Sequence, residues 1–381
     1  MHDVHAALAA SVKSWNSLLL ATGGALHPDK CFYYLMSYRF DKRRKVWLYE
    51  DHTDDERYDI AITLPDGTPS LIAQHHVDHA ETMLGVRTSP SGSSDGCMEV
   101  MKEKATDCVQ KVLSSRINRR QFWTWISACF WPKISYGLCC NMATIPRLQA
   151  CLGKTYYQLL PAGGIIRSAP TDIRDLDLGF FGCGLPNVAI ECGVHQLNKL
   201  LMHYGCSSSV GTQLQSSMEL FMIELGRSHQ PFLESFQRYH QWVTDSWVKS
   251  IWEKVACSGY KVLLNNIELP FPRDGDEWIM NLFEDCGYSP KELLQLNRVR
   301  IHQQVLFLTD VLCVKGKSID PKYKKLRPDD ERWSRLIFPY EEPNRSDLKL
   351  WNEALRQVAP RGHPSRRLGN WNHAGHKMLQ W

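Results

Sequence analysis

Val4, Leu8, Val12, Trp15 and Leu19 recur every three or four residues, the period that lines apolar side chains along one face of a helix. This predicts a helix over about 3–21, closed by Gly23-Gly24, where the backbone can turn with positive φ. The period then changes. Residues 32–40 and 45–49 are rich in aromatic and β-branched side chains, split by a charged run at 41–44. Residues 60–64 and 71–73 flank Pro65-Asp66-Gly67, in which proline fixes φ and glycine permits the reversal. The stretch 32–86 therefore reads as a small antiparallel sheet.

Residues 89–96, SPSGSSDG, are a loop by composition. Helical stripes follow: Met98, Met101, Ala105, Cys108, Val112 and Ile117; then Val210, Leu214, Met218, Phe221 and Leu225; then Phe236, Tyr239, Val243, Trp247, Ile251 and Val255. They predict long helices near 98–118, 210–225 and 233–256. Ser289-Pro290-Lys291-Glu292 is a helix start, with serine as cap, proline in the first turn and glutamate reaching back. From about Pro339 the chain is rich in Pro, Gly, Asn and Arg, and an irregular tail is expected. The fold class is α+β, a small antiparallel sheet with a helix followed by a mainly α-helical remainder. The expected divisions are 1–95, 96–165, 166–340 and 341–381.

Composition narrows the class. Of 381 residues, 43% are hydrophobic and 23% charged, enough apolar material for a real core and too much for wholesale disorder. Basic and acidic residues number 45 and 41, so a polyanion partner must be sought in local patches. Thirteen scattered cysteines with no Cys-x-x-Cys and no secretory leader imply free thiols in a reducing compartment. The most apolar stretch, 122–140, is about long enough to span a bilayer, but Pro132-Lys133 near its middle would be costly in lipid. A buried helix ending at Trp131 is expected instead, with no membrane role.

His75-His76-Val77-Asp78-His79 has metal-like spacing if helical, since His75 and His79 would share a face. It lacks an evident further ligand or base, so a solvated connection is expected. The pairs Asp54-Asp55 and Asp329-Asp330 lie in wholly polar runs and read as exposed loop charge rather than a magnesium site. His363, His373 and His376 carry no ligand pattern. Phosphate-loop and dinucleotide motifs are absent. Basic patches occur at 42–45 and 315–335, and Arg116, Arg119 and Arg120 precede Phe122, Trp123 and Trp125, mixing phosphate partners with stacking faces. Burial of Trp123 in the apolar helix is the competing role for that side chain.

Residues 15–31, WNSLLLATGGALHPDKC, resemble the segment of retroelement reverse transcriptases that follows the catalytic Asp-Asp hairpin. There a helix ends in a glycine turn and a lysine-bearing strand follows. Ala80-Glu81-Thr82-Met83-Leu84-Gly85-Val86 is similar to the primer-grip segment of the same enzymes. Asp177-Leu178-Gly179-Phe180-Phe181-Gly182-Cys183-Gly184-Leu185-Pro186 is similar to the Gly-Gly-Leu-Gly segment after the thumb in non-LTR retrotransposon proteins. Order and spacing agree over about residues 1–205, and 206–381 resemble the C-terminal part of such polyproteins.

The resemblance implies the post-active-site palm, thumb and downstream part of a reverse transcriptase-like protein, from a decayed element or a reading frame with a late start. The family's two magnesium ions sit on aspartates upstream of the matched segments, so no cofactor is expected in this chain and no polymerase activity from it alone. Lys30 matches a lysine proposed to protonate leaving pyrophosphate. Leu84, Gly85, Val86, Arg116, Arg119, Arg120 and Trp123 are the implied nucleic-acid contacts. The implied partners are an RNA template, an RNA–DNA hybrid and the upstream catalytic part of the same polyprotein, in nucleus or cytoplasm. The alternative is a helical protein-interaction domain with no nucleic-acid role.

Overall fold

The computed structural model describes residues 2–41, 46–265, 269–325, 343–364 and 368–372. The chain divides into two compact units, Met1–Cys97 and Met98–Trp381. Asp329-Asp330, His373, His376, the basic turn at 42–45 and much of the basic stretch 315–335 lie outside the described residues.

The first unit opens with helix α1 (His2–Ala21), stopped by Gly23 at φ +80°, and the Gly24 N–H returns to the Leu19 carbonyl at 2.8 Å. Strands β1 (Phe32–Tyr34), β2 (Ser37–Asp41), β3 (Val46–Glu50), β4 (Ile60–Thr63), β5 (Pro69–His75), β6 (Glu81–Met83) and β7 (Val86–Thr88) follow. In β4, Ile60 and Ile62 turn inward while Ala61 and Thr63 face out, the alternation of a half-buried strand. Leu8 and Val12 of α1 pack on this small core with Tyr33 and Ile72. Two members of the predicted stripe face water instead: Val4 is 67% and Trp15 56% exposed. Asn16 takes the inward place and donates its amide to the Thr63 carbonyl at 2.9 Å.

The sheet departs from the all-antiparallel expectation. β2–β3 and β6–β7 are separate hairpins, β4–β5 is antiparallel, and β1 pairs with β5 in parallel, Phe32 opposite Ala73 and Tyr34 opposite His75. The two strands after β1 pair with each other, so β1 fills the open edge of β5. Among the described residues, no α-helix lies in that crossover.

The second unit holds twelve α-helices among the described residues. One core cluster is built from residues between Met98 and Cys192 and a second from residues between Leu200 and Ala359. Helix α2 (Asp95–Ser114) buries Met98, Met101, Ala105, Cys108 and Val112 as its stripe predicts. Helix α3 (Arg119–Trp125) does not end the apolar segment. It widens into a π turn over Ile126–Phe130, where the Trp131 N–H reaches the Ile126 carbonyl, and resumes as α4 (Trp131–Ser135). Pro132 explains the wide turn: its ring would clash with the carbonyl four residues back in a regular helix.

Helices α5 (Ile145–Leu159), α6 (Thr171–Asp175), α7 (Val188–His203) and α8 (Ser209–Leu225) follow. The helix expected over 233–256 is two pieces, α9 (Phe236–Tyr239) and α10 (Trp247–Ser258). Between them Thr244 turns its N–H and hydroxyl to the buried Glu224 carboxylate, at 3.0 and 2.7 Å, and Ser246 caps the new helix. Helices α11 (Ile279–Asp285) and α12 (Pro290–Gln303) come next, and α12 starts at the Ser289/Glu292 capping box that the sequence predicts. The expected irregular tail contains helix α13 (Arg345–Val358), capped by Asn344 with Asp347, which buries Trp351, Ala354 and Leu355. Among the described residues, no helix is long and apolar enough to cross a membrane.

Candidate functional site

Asn118 builds the arginine turn. Its side chain accepts from the Gln121 N–H at 3.0 Å while the Gln121 side chain accepts from the Asn118 N–H at 2.9 Å, a reciprocal cap that fixes the start of α3. Arg119 and Arg120 are then the first two helical residues, and Arg116 stands just before the cap. All three are exposed, and among the described residues none has an ion pair or a side-chain hydrogen bond. Other arginines are tied down: Arg57 to Asp55, Arg174 to Asp175, and both Arg227 and Arg238 to Glu284. The first turn of a helix presents unpaired N–H groups and repels cations by about 0.3–1 kcal/mol each. Two arginines there gain nothing from their own helix.

Trp123 is half-buried. It meets Phe122 edge-on, with ring centroids 5.3 Å apart, and packs against Gly163, so only part of its face is free to stack. Gly164, at φ +78°, lies under the Arg119 guanidinium, which occupies the space a Cβ would need.

Leu84 and Gly85 are the two-residue turn joining β6 to β7, with φ +51° and +82°. Positive φ at both positions is the hairpin turn that matches strand twist, and it normally selects Asn-Gly or Gly-Gly. Leucine is strained there, and its side chain is 93% exposed. Val86, half-buried, begins β7. Lys30 is not on a strand. It closes the 3-10 turn Pro28–Lys30, forms no ion pair among the described residues, and borders an apolar cleft of about 410 Å³ with Leu8, Val12 and Phe32. Asp55 is occupied elsewhere: Arg57 forms two bonds to its carboxylate at 2.8 and 2.6 Å and holds it down at about 2.

The histidine run is not helical. His75 ends β5, a turn carries His79 back, and Glu81 opens β6. Both imidazoles bring Nε2 to the same oxygen, Glu81 Oε1, His75 at 3.1 Å and His79 at 3.0 Å. Burial pushes the Glu81 carboxyl up, but His79, the Thr82 N–H and the charge of the two imidazoles hold it below the usual carboxylate range. His76 points away, its ring nitrogens 3.7 Å from Asp51 and 3.5 Å from Asp78. The expected solvated connection is thus a convergent cluster. Comparison with family models, curated proteins and solved structures found no match.

The spacing of the histidines is visible in the sequence, but Glu81 as companion of His75 and His79 is not, since only the fold brings it to them. Cys139-Cys140 carries a further signal that adjacency alone does not reveal. The two Sγ atoms are 3.7 Å apart, and the Cys140 contact, helped by Lys199 and His195 against burial, lowers the Cys139 thiol to about 6.

Proposed function

We propose that this chain binds the sugar–phosphate backbone of nucleic acid without reading sequence, as the thumb part of a reverse transcriptase-like retroelement protein that carries no catalytic aspartates of its own. The observation that carries this reading is the arginine turn: three exposed arginines with no ion pair or side-chain hydrogen bond among the described residues, two of them where their helix disfavours cations. Arginine forks fit phosphate oxygens, and contacts of this kind position a duplex rather than specify it. The strained, exposed Leu84 at a hairpin tip supports the same reading, because such strain persists where a contact uses it.

Anisotropy of a labelled RNA–DNA hybrid, titrated with the chain at several salt concentrations, tests it. Binding should weaken with salt, and replacing Arg116, Arg119 and Arg120 together with alanine should lower affinity and reduce the salt slope by up to about three phosphate contacts. An unchanged affinity and slope would overturn the reading.

One observation favours a second reading as a protein-interaction domain. Leu178, Phe180 and Phe181 are 73%, 71% and 98% exposed on one short turn, more apolar surface than a solitary loop usually offers to water. An unaltered triple variant would move this reading ahead.

A further inference from the structure

The cluster of His75, His79 and Glu81 is not among the residues on which the phosphate-binding reading rests, and its geometry has a chemistry of its own. Its three donor atoms lie within 4.8 Å of one another. A tetrahedral zinc ion with bonds of about 2.0–2.1 Å to nitrogen and oxygen holds its donors about 3.3 Å apart. The two Nε2–Oε1 separations, 3.1 and 3.0 Å, are already close to that edge length. The two rings are close, with centroids 4.3 Å apart and planes tilted by 36°, and both present Nε2 to the same carboxylate oxygen.

The support is rigid. The His75 ring stacks on Phe32 at 5.6 Å and leans on Tyr34 at 6.1 Å, both from β1, the strand paired in parallel with β5. The Tyr34 hydroxyl donates to the His79 carbonyl at 3.0 Å, which ties the intervening turn to the same strand. Side-chain exposures of 23%, 47% and 31% for His75, His79 and Glu81 leave one side of the cluster open to water. Two imidazole nitrogens and one carboxylate oxygen suit zinc, whereas magnesium and calcium take oxygen donors.

We infer that the first unit carries a mononuclear zinc site with His75 Nε2, His79 Nε2 and Glu81 Oε1 as ligands and water in the fourth position. His76, held by Asp51 and Asp78, lies outside the ligand set.

The test uses the full chain, stripped with a chelator and titrated with Co²⁺ and then Zn²⁺. Because the chain has thirteen cysteines, the spectrum must separate this site from thiolate binding. The expected result is one equivalent of Co²⁺ with visible bands of four- or five-coordinate intensity, no near-ultraviolet cobalt–thiolate band, and displacement by Zn²⁺. His79→Asn and Glu81→Gln should each weaken binding by at least about 100-fold, since even outer-shell losses cost about 10–100-fold. His76→Asn should leave it unchanged. X-ray absorption of the zinc-loaded parent gives a measurement free of any folding defect in the variants, with a nitrogen/oxygen shell and imidazole scattering expected. A sulfur shell, or parental affinity and stoichiometry in both ligand variants, would overturn the site.

Discussion

Arg300 is 1% exposed, yet each nitrogen of its guanidinium has a partner: Nε donates to Asn297 Oδ1 at 2.7 Å, and the terminal nitrogens donate to the carbonyls of Val305, Ile223 and Glu224. Burial lowers it to about 9, which leaves it charged at neutral pH. Asp310 behaves differently. Its Oδ2 accepts from the N–H groups of Leu306 and Phe307, both at 2.8 Å, and burial still raises it to about 6. A carboxyl raised on folding holds a proton in the native state that the unfolded chain has released, so stability falls as pH rises from about 4 to about 6. The full effect is on the order of 3 kcal/mol. Asp310→Asn keeps an oxygen for both backbone donors and removes the titration. Urea unfolding between pH 4 and 7 should give a flatter stability profile for the variant than for the parent; equal slopes would assign the proton elsewhere.

At the scale of elements, the β6–β7 hairpin sets local geometry against chemistry. Its two-residue turn needs positive φ twice, and Leu84 supplies the first at a cost of about 1–2 kcal/mol. Leu84→Asn should raise thermal stability by about 1 kcal/mol, because the leucine side chain is exposed and asparagine tolerates this backbone. Hybrid binding, read by anisotropy, should fall in the same variant; unchanged affinity would remove the hairpin tip from the proposed contact. Elements of this kind are legible where the signal is local. Gly23-Gly24, Pro65-Asp66-Gly67 and Ser289–Glu292 act as the sequence predicts because each turn or cap is decided by its own few residues. The stripe from Phe236 to Val255 packs into one core, but the single helix expected over 233–256 is broken where Thr244 turns to the Glu224 carboxylate on another helix. The histidine cluster is illegible for a related reason: a spacing of four suggests a helix face, and the turn that unites His75 with His79 has a different geometry altogether.

For the whole molecule, long-range choices are what the chain pattern conceals. Nothing local tells β1 to take the edge of β5, or α13 to bring Trp351 into a core begun more than a hundred residues earlier, where its indole N–H meets the Tyr323 carbonyl at 3.0 Å. Once made, these choices give the second unit its own interior, including buried Trp242, Trp252, Trp278 and Trp351. Residues 98–381 produced alone should therefore unfold cooperatively in urea and retain a near-ultraviolet circular dichroism signal from the packed indoles. A featureless spectrum with a gradual transition would mean that the second unit does not fold by itself.

The wide turn at Ile126–Phe130 solves a problem of counting. Phe122, Ile126, Phe130 and Ile134 are all buried, at intervals of four. A regular helix advances about 100° per residue, so this spacing drifts by about 120° around the axis from first to last. The additional residue absorbed by the π turn returns roughly 100° of that drift, as a leap day realigns a calendar. Pro132 fixes where the extra day falls. The segment is thus a metre more than a spelling: exchanging one apolar letter for another keeps the beat, and dropping one residue inside the wide turn would leave a plain helix with the later residues in place, whereas dropping one outside it would swing everything after it by about 100° away from the core.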